Sequence, residues 1–196
     1  MGDEKLVQEI IEGDFHTLIW SAIDDYVESR NNAKGFIYAL IYGAGDAKLG
    51  NMADHNPRGW SDYRLGSDIR QRIMQRIPAF DRLSTIVSTA SKRGFLRGID
   101  GFPVYVRGEH SALNALLQHC GSMVVKRATV KMHQRTNKFT QVGMFHDEVQ
   151  GDVLPEDAEE VGELFISCLK EAGEDYGLLC PMDGEYKTGN DWSETH

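Results

Sequence analysis

The segment from Arg30 to Gly43 constrains the fold of this chain more than any other part of the sequence. Cationic and aromatic residues recur there at every fourth position, namely Arg30, Lys34, Tyr38 and Tyr42. In a helix this spacing forms one row of side chains, about 6 Å apart along the axis. Two cations followed by two aromatic rings match the order of phosphates, sugar and base in an extended nucleotide. An amphipathic helix with a cationic edge has the same spacing, so the spacing alone leaves both interpretations open.

Apolar residues recur with helical spacing through most of the first half of the chain. Helices are therefore predicted at residues 3–11, 17–27, 30–42 and 61–92. The last helix is expected to break before Pro78, because the residue that precedes a proline avoids helical backbone geometry. The first half of the chain is thus predicted to be entirely helical.

The second half of the chain mixes helices with short strands. The predicted strands are residues 104–106, 140–145, 149–153 and 185–187. Helices are predicted at about 110–131, from apolar spacing, and at about 155–172, where a proline suits the first turn. The second and third strands would form a hairpin whose charged tip is residues 146–148. We therefore predict an α+β fold, in which a helical first part precedes a small antiparallel sheet with packed helices.

The composition is that of an ordinary folded chain. Hydrophobic residues make up 41% of the sequence and charged residues 26%, which excludes a disordered or collagen-like protein. There is no run of eighteen apolar residues and no signal-peptide pattern, so a cytoplasmic protein without membrane contact is expected. The three cysteines, Cys120, Cys168 and Cys180, are too widely spaced for a disulfide framework or a zinc site.

The charge distribution bears on nucleic-acid binding in two opposite ways. The net charge of -9 argues against it, because contacts from lysine and arginine to phosphates supply most non-specific affinity. The middle of the chain is nevertheless basic, with Arg64, Arg70, Arg72, Arg76, Arg82, Lys92, Arg93, Arg97 and Arg107. Solvated helix faces would explain this cluster equally well. The charge therefore weakens a nucleic-acid interpretation without excluding it.

Five elements of the sequence resemble those of family A DNA polymerases, and they occur in the order of that family. The segment 30–43 resembles motif B, and its continuation Ala44-Gly45-Asp46-Ala47-Lys48-Leu49-Gly50 resembles the phage branch in particular. Gly13-Asp14-Phe15-His16-Thr17 resembles the Asp-x-His-Thr element that precedes motif B. Residues 98–107 and 110–118 resemble a palm strand and the long palm helix, and 145–150, Phe-His-Asp-Glu-Val-Gln, resemble motif C. The chain thus resembles the C-terminal part of such a polymerase.

This resemblance implies two structural parts and a site for a deoxynucleoside triphosphate (dNTP). Residues 1–97 would form a helical portion of the fingers, and residues 98–196 the C-terminal portion of the palm. The nucleotide ligands would be His16, Arg30, Lys34 and Tyr38. The first three would hold the triphosphate, with Lys34 also catalytic because it neutralises charge on the leaving pyrophosphate, and Tyr38 would face the incoming sugar and base.

Other residues would contact DNA if the resemblance holds. Tyr42 and Gly43 would lie against the templating position, where a small glycine lets a base pair approach. Asn114 and Gln118, four residues apart on the long helix, would donate hydrogen bonds to minor-groove acceptors that every correct base pair presents. Helix-surface amides bound to water would look the same in the sequence. Arg107 would contact a phosphate or the minor groove.

The motif C segment would carry the catalytic carboxylate. The resemblance implies that Asp147 is a ligand of Mg²⁺, with two ions in the assembled site. Glu148 would support it, and His146 would contact the primer terminus. Taken alone, a His-Asp-Glu sequence is more typical of a solvated turn.

The sequence departs from the family in one respect that matters for activity. The second catalytic aspartate belongs to motif A, upstream of the Asp-x-His-Thr element, and no Asp-Tyr-Ser or Asp-Ala-Ser sequence occurs before His16. We therefore expect one half of a split polymerase, inactive without an N-terminal half that carries motif A, the thumb and, in some cases, an exonuclease. A shortened form of a longer protein is the other expectation.

The expected partners follow from this interpretation. They are primer-template DNA, a dNTP and the N-terminal half, and the use of a processivity factor is left open. If a phage encodes the protein, it would act in the cytoplasm of the bacterial host. A different class of function, a non-catalytic remnant or accessory module that binds nucleotide or DNA, is kept as the alternative.

Overall fold

The computed structural model describes residues 4–195, and in them the first part of the chain is helical. Six helices follow one another, α1 Glu4–Glu12, α2 Phe15–Ile23, α3 Arg30–Ile41, α4 Asp46–Asn51, α5 Asp62–Arg76 and α6 Pro78–Ser91. The predicted break before Pro78 is confirmed, because Ile77 between α5 and α6 has φ -125° and ψ 75°. The six-residue α4 was not predicted, and α2 ends four residues earlier than expected.

The second part of the chain mixes helices and strands, as predicted. Its elements are β1 Phe95–Arg97, β2 Pro103–Tyr105, α7 Glu109–Arg135, β3 Thr140–Phe145, β4 Glu148–Asp152, a 3-10 turn Pro155–Asp157, α8 Ala158–Asp175 and α9 Trp192–Thr195. The α+β fold is therefore confirmed. β1 and α9 are elements that the sequence analysis missed. The predicted strand at 185–187 is wrong, since these residues form no regular structure.

The chain divides into two compact units. The first comprises residues 4–98 and 102–117, and the second residues 99–101 and 118–195, so that α7 contributes to both. Within the described part of the chain, no helix is long and apolar enough to cross a membrane. The division into a fingers portion and a palm portion at residue 97 stays a prediction.

The core of the first unit explains the position of α3. Ala33, Phe36, Ile37 and Leu40 are buried, at the i, i+3, i+4 and i+7 positions that define one face of a helix. They pack with buried residues of α2, α4 and α5, namely Ile19, Ile23, Leu49, Leu65, Ile69 and Ile73. The helix begins where Ser29 accepts a hydrogen bond from the backbone N–H of Asn32 at 3.1 Å, as N-cap serines do. The opposite face of α3 is therefore left to carry polar side chains.

The first unit contains a second, smaller core. The buried residues Val87, Leu96, Ala112 and Leu113 join α6, β1 and the first turns of α7. β1 and β2 form an antiparallel pair in which Leu96 lies opposite Val104. These contacts hold the N-terminal end of α7 within the first unit.

The second unit is built around the β3–β4 hairpin and two helices. Val124, Val125, Ala128 and Met132 of α7 pack with Val161, Cys168, Leu169 and Ala172 of α8. β3 and β4 are antiparallel, with Phe145 opposite Glu148, so the turn between them is His146-Asp147. His146 has φ 57°, a left-handed conformation that residues other than glycine adopt rarely. The predicted hairpin is confirmed, with Glu148 in β4 rather than at the tip.

Candidate functional site

The N-termini of α2 and α3 are joined by the carboxylate of Asp14. As the N-cap of α2, Asp14 accepts hydrogen bonds from the backbone N–H groups of His16 at 3.0 Å and Thr17 at 3.2 Å, and from the Thr17 hydroxyl at 2.8 Å. The same carboxylate pairs with the first residue of α3, with Arg30 Nε 2.5 Å from Oδ2 and Arg30 Nη2 2.8 Å from Oδ1. The guanidinium of Arg30 is the main reason why the pKa of Asp14 lies far below its usual range.

His16 lies in the first turn of α2, beside these two residues. Its ring is half-buried, and its Nδ1 atom is buried without a hydrogen-bond partner among residues 4–195. Burial, together with the cations of Arg30 and Lys34, lowers the pKa of His16, and the charge of Asp14 opposes the effect. The imidazole is therefore neutral at pH 7, with one nitrogen that donates and one that accepts a hydrogen bond. The predicted ligands His16, Arg30 and Lys34 are thus brought close enough to interact electrostatically.

Lys34 and Tyr38 lie on the exposed face of α3. The Lys34 Nζ atom is 5.8 Å from the centre of the Tyr38 ring, within the range of a cation–π interaction. Lys34 forms no ion pair with any residue that the structure describes. Its ammonium group is therefore available to an anion from solution, and the Tyr38 ring, 46% exposed, is available to a flat or apolar group beside that anion.

Tyr42 and Gly43 end α3. Tyr42 is its C-terminal cap and is exposed, and Gly43 has φ 78°, a conformation that favours glycine. A Cβ atom at Gly43 would overlap the backbone carbonyl of His110, at the start of α7. The approach of a base pair was the expected reason for a small residue at position 43, and the structure supplies another reason, the approach of the protein's own backbone.

The hairpin turn of the second unit displays Asp147 to solvent. Asp147 and His146 are exposed, and Asp147 has no hydrogen bond or ion pair with another residue in the described range 4–195. Glu148, the first residue of β4, is half-buried and accepts a hydrogen bond from the side chain of Gln150. Asp147 is thus an exposed carboxylate in the turn between two paired strands, with no charge partner among the described residues.

The other predicted DNA contacts lie on α7 and just before it. Arg107 is exposed in the segment between β2 and α7. Asn114 is half-buried, and its Oδ1 atom is buried with no hydrogen-bond partner among the described residues. Gln118, one turn further along α7, is exposed. An unsatisfied buried acceptor is unfavourable, so this oxygen has the capacity to accept one more hydrogen bond.

Two features near these residues were missed by the sequence analysis. One is the ion pair between Asp14 and Arg30, whose members are sixteen residues apart and share no periodic pattern. Its only signal was an aspartate directly before an apolar helix, the usual position of an N-cap. The other is Trp192 of α9, which stacks on Phe145 next to the hairpin turn, with ring centres 5.9 Å apart and planes at 22°.

Few side chains among the described residues are placed to bind a metal ion. No group of three or more His, Cys, Asp and Glu side chains in residues 4–195 could hold one. Asp147 offers hard carboxylate oxygens of the type that Mg²⁺ prefers, and no other residue that the structure describes binds them. The chemistry of this side chain therefore suits one ligand of a magnesium ion.

Comparison with known proteins gives concordant results from sequence and structure. The sequence model of DNA polymerase family A matches residues 1–194. Among curated relatives, a DNA-directed DNA polymerase of Enterobacteria phage T3 is 30% identical over 218 residues, which cover 98% of this chain and 30% of the relative. One of Escherichia phage Phieco32 is 33% identical over 198 residues, covering 95% of this chain and 31% of the relative. This chain therefore spans about 30% of the length of these relatives.

A solved structure has the same fold. The POL domain of Pol1 from M. smegmatis, in a complex with DNA primer-template and dNTP, superposes with a TM-score of 0.72. The superposition covers 87% of this chain and 33% of that chain, at 20% sequence identity.

Proposed function

Because the chain belongs to DNA polymerase family A, we propose that it forms the nucleotide-binding part and one half of the metal-binding part of a template-directed DNA polymerase. In this proposal the chain binds a dNTP and primer-template DNA and supplies Asp147 as a metal ligand. In this proposal, DNA synthesis also needs the catalytic aspartate of motif A. The observation that carries the proposal is the cluster of His16, Arg30, Lys34 and Tyr38 at the junction of α2 and α3.

The α2–α3 cluster suits a triphosphate because its groups differ in kind. Lys34 provides a mobile point charge without an ion-pair partner in the described chain, whereas Arg30 provides a planar group held in place. Neutral His16 adds one hydrogen-bond donor without adding charge. Charge that develops on the leaving pyrophosphate would be neutralised mainly by Lys34. The Tyr38 ring, beside Lys34, would then pack against the sugar and base.

Asp147 suits the catalytic end of the same reaction. Its carboxylate would hold Mg²⁺, which when bound stabilises the attacking and leaving oxygens of phosphoryl transfer. Glu148 would keep the local charge negative, and His146, fixed by the turn, would contact the primer terminus. Arg107, Asn114 and Gln118 would contact the duplex, and the buried unsatisfied oxygen of Asn114 is consistent with a partner outside the protein.

A second candidate function is a non-catalytic module that binds nucleotide or DNA. It is favoured by one observation, the lack of a cluster of three metal-ligating side chains within residues 4–195. Both candidate functions predict that the chain binds a nucleotide. They differ in whether DNA synthesis occurs when motif A is supplied.

Primer extension separates the two candidates. The purified chain alone, with primer-template, Mg²⁺ and dNTPs, should extend no primer, and extension should appear when a polypeptide carrying motif A and the thumb is added. The Asp147→Asn variant in the same mixture is the control for contaminating polymerases. Robust synthesis by the chain alone would refute the requirement for motif A. Nucleotide binding without extension in the complete mixture would favour the non-catalytic module.

A further inference from the structure

The Asp14 carboxylate is saturated by bonds from two helices. Oδ1 accepts from the N–H groups of His16 and Thr17 and from Arg30 Nη2, and Oδ2 accepts from the Thr17 hydroxyl and from Arg30 Nε. Exposed ion pairs usually contribute little, because two flexible side chains must be ordered at once. Here the carboxylate is already fixed by the end of α2, where backbone N–H groups favour a negative charge. Formation of this ion pair therefore requires the ordering of only one flexible side chain, that of Arg30.

Arg30 keeps hydrogen-bonding capacity while it is paired. A guanidinium carries five N–H donors in one plane, and Asp14 uses one on Nε and one on Nη2. Both donors of Nη1 and the second donor of Nη2 remain for another acceptor. A phosphate can therefore bind the edge formed by Nη1 and Nη2 while Asp14 holds the neighbouring edge formed by Nε and Nη2, and the two anions need not compete.

We propose that Asp14 is a positioning residue for nucleotide binding, which fixes the Arg30 guanidinium so that its Nη1 edge is presented to the triphosphate. This inference rests on the proposed role of Arg30 as a phosphate ligand. Asp14 acts through Arg30 and touches no substrate. By capping α2 with the same carboxylate, it also keeps His16 next to the guanidinium.

A double-mutant cycle in the assembled polymerase tests this inference. Asp14→Asn removes the charge and keeps an N-cap residue, and Arg30→Ala removes the positioned group. Asp14→Asn should weaken apparent dNTP affinity by about tenfold while kcat and primer-template affinity change less than about twofold. In the Arg30→Ala background, Asp14→Asn should have no further effect on dNTP affinity. Thr17→Val is the matched control, since it removes one hydrogen bond to Asp14 and leaves the ion pair intact.

The outcomes are distinguishable from a failure of the proposed function. If Arg30→Ala leaves dNTP affinity unchanged, Arg30 is not a phosphate ligand and both proposals fall. If Arg30→Ala weakens affinity and Asp14→Asn does not, the role of Asp14 alone is overturned. An equal loss from Asp14→Asn in both backgrounds, or tighter binding, would also overturn it. Asp14→Ser, which again provides a cap without a charge, serves as the second variant if circular dichroism shows that Asp14→Asn is unfolded.

Discussion

Two carboxylates, Asp14 in the first unit and Asp147 in the second, have opposite surroundings. Asp14 is bound by a guanidinium, two backbone N–H groups and a hydroxyl. Asp147 lies exposed in a two-residue turn, without a partner in the described chain. A carboxylate that the protein itself compensates can position other groups but is poorly available to a metal ion. One that is held rigidly and left uncompensated is suited to bind a cation.

The same contrast separates the two cations of α3. Arg30 is paired with Asp14, whereas Lys34 has no ion pair within residues 4–195 and its ammonium group lies over the Tyr38 ring. The α2–α3 cluster is therefore organised by contacts within its own unit, while the hairpin presents one exposed carboxylate that has no partner among the described residues. Substitutions at the two places should have different consequences, which the following experiments measure.

The largest effect is expected at Asp147. Asp147→Asn keeps the size of the side chain and removes the charge that would hold Mg²⁺, so turnover of the assembled polymerase should fall at least about a hundredfold. Nucleotide affinity should fall much less. Single-turnover primer extension measures both quantities. Asp152→Asn, on the same hairpin, is the matched control, and turnover of the Asp147→Asn variant within about twofold of the parent would contradict Asp147 as a metal ligand.

The next effect concerns selectivity at Tyr38. A dideoxynucleotide lacks its 3′-hydroxyl, and a phenol oxygen at this place could replace the lost hydrogen-bond partner. The parent enzyme should therefore incorporate dideoxynucleotides readily. Tyr38→Phe should restore discrimination by roughly tenfold to more than a hundredfold, because an unfilled polar position costs about 1–3 kcal/mol. Incorporation of matched normal and dideoxy nucleotides measures the ratio, with Tyr63→Phe as control. Equal discrimination in the parent and the Tyr38→Phe variant would show that Tyr38 does not face the sugar.

A smaller loss, seen in dNTP affinity as well as in turnover, is expected at Lys34. Lys34→Ala removes a phosphate contact made by an uncompensated charge, so dNTP affinity should fall by about tenfold. This loss should be larger than that caused by Asp147→Asn and should decrease as salt is added, since salt screens an exposed charge. Titration of the protein with dNTP measures it, and Lys92→Ala, an exposed lysine in the same unit, should leave affinity unchanged. Equal losses from both alanine variants would point to a general charge effect.

The smallest expected effect is on the free energy of unfolding and concerns Glu171. Glu171 is paired with Arg135 and Lys131, and the bond from Arg135 is the main reason why its pKa falls from 4.5 to about 2. Because the folded-state pKa is the lower one, the contribution of this carboxylate is present above pH 4.5 and is lost as the pH falls towards 2. Glu171→Gln should therefore lower stability at neutral pH, and its difference from the parent should shrink in acid.

Urea unfolding between neutral and acidic pH measures that difference. Asp147→Asn is the internal control, because it removes a carboxylate that forms no ion pair with any residue in the described range. A pH-independent difference between Glu171→Gln and the parent would contradict an electrostatic origin.

The parts of the fold that the sequence predicted are those with a local signal. The helical spacing of apolar residues in α3, the break before Pro78 and the hairpin of β3 and β4 each depend on a few neighbouring residues, and each prediction is confirmed. The six-residue α4 is too short to show a period. The wrong strand at 185–187 covered only three residues, Glu-Tyr-Lys, and β-strand formation depends on a neighbouring strand that this segment does not have among the described residues.

The candidate site divides in the same way. His16, Lys34, Tyr38 and Asp147 could be selected because motifs place them in the sequence, and their roles stay predictions. The pairing of Asp14 with Arg30 depends on how α2 packs against α3, and no local pattern encodes that packing. The buried oxygen of Asn114 is likewise a property of the folded chain, since the sequence shows only an amide on a helix.

The contact between Gly43 and the His110 carbonyl has a consequence for mutational scanning. Any side chain at residue 43 would overlap that carbonyl, so alanine substitution there should abolish activity whether or not the position touches DNA. An alanine scan from Arg30 to Gly43 would then count Gly43, like Lys34 and Tyr38, among the residues needed for activity. The defect of the Gly43 variant would nevertheless be one of folding. Soluble yield and the midpoint of unfolding, measured for each variant together with its activity, distinguish a loss of ligand binding from a loss of folding.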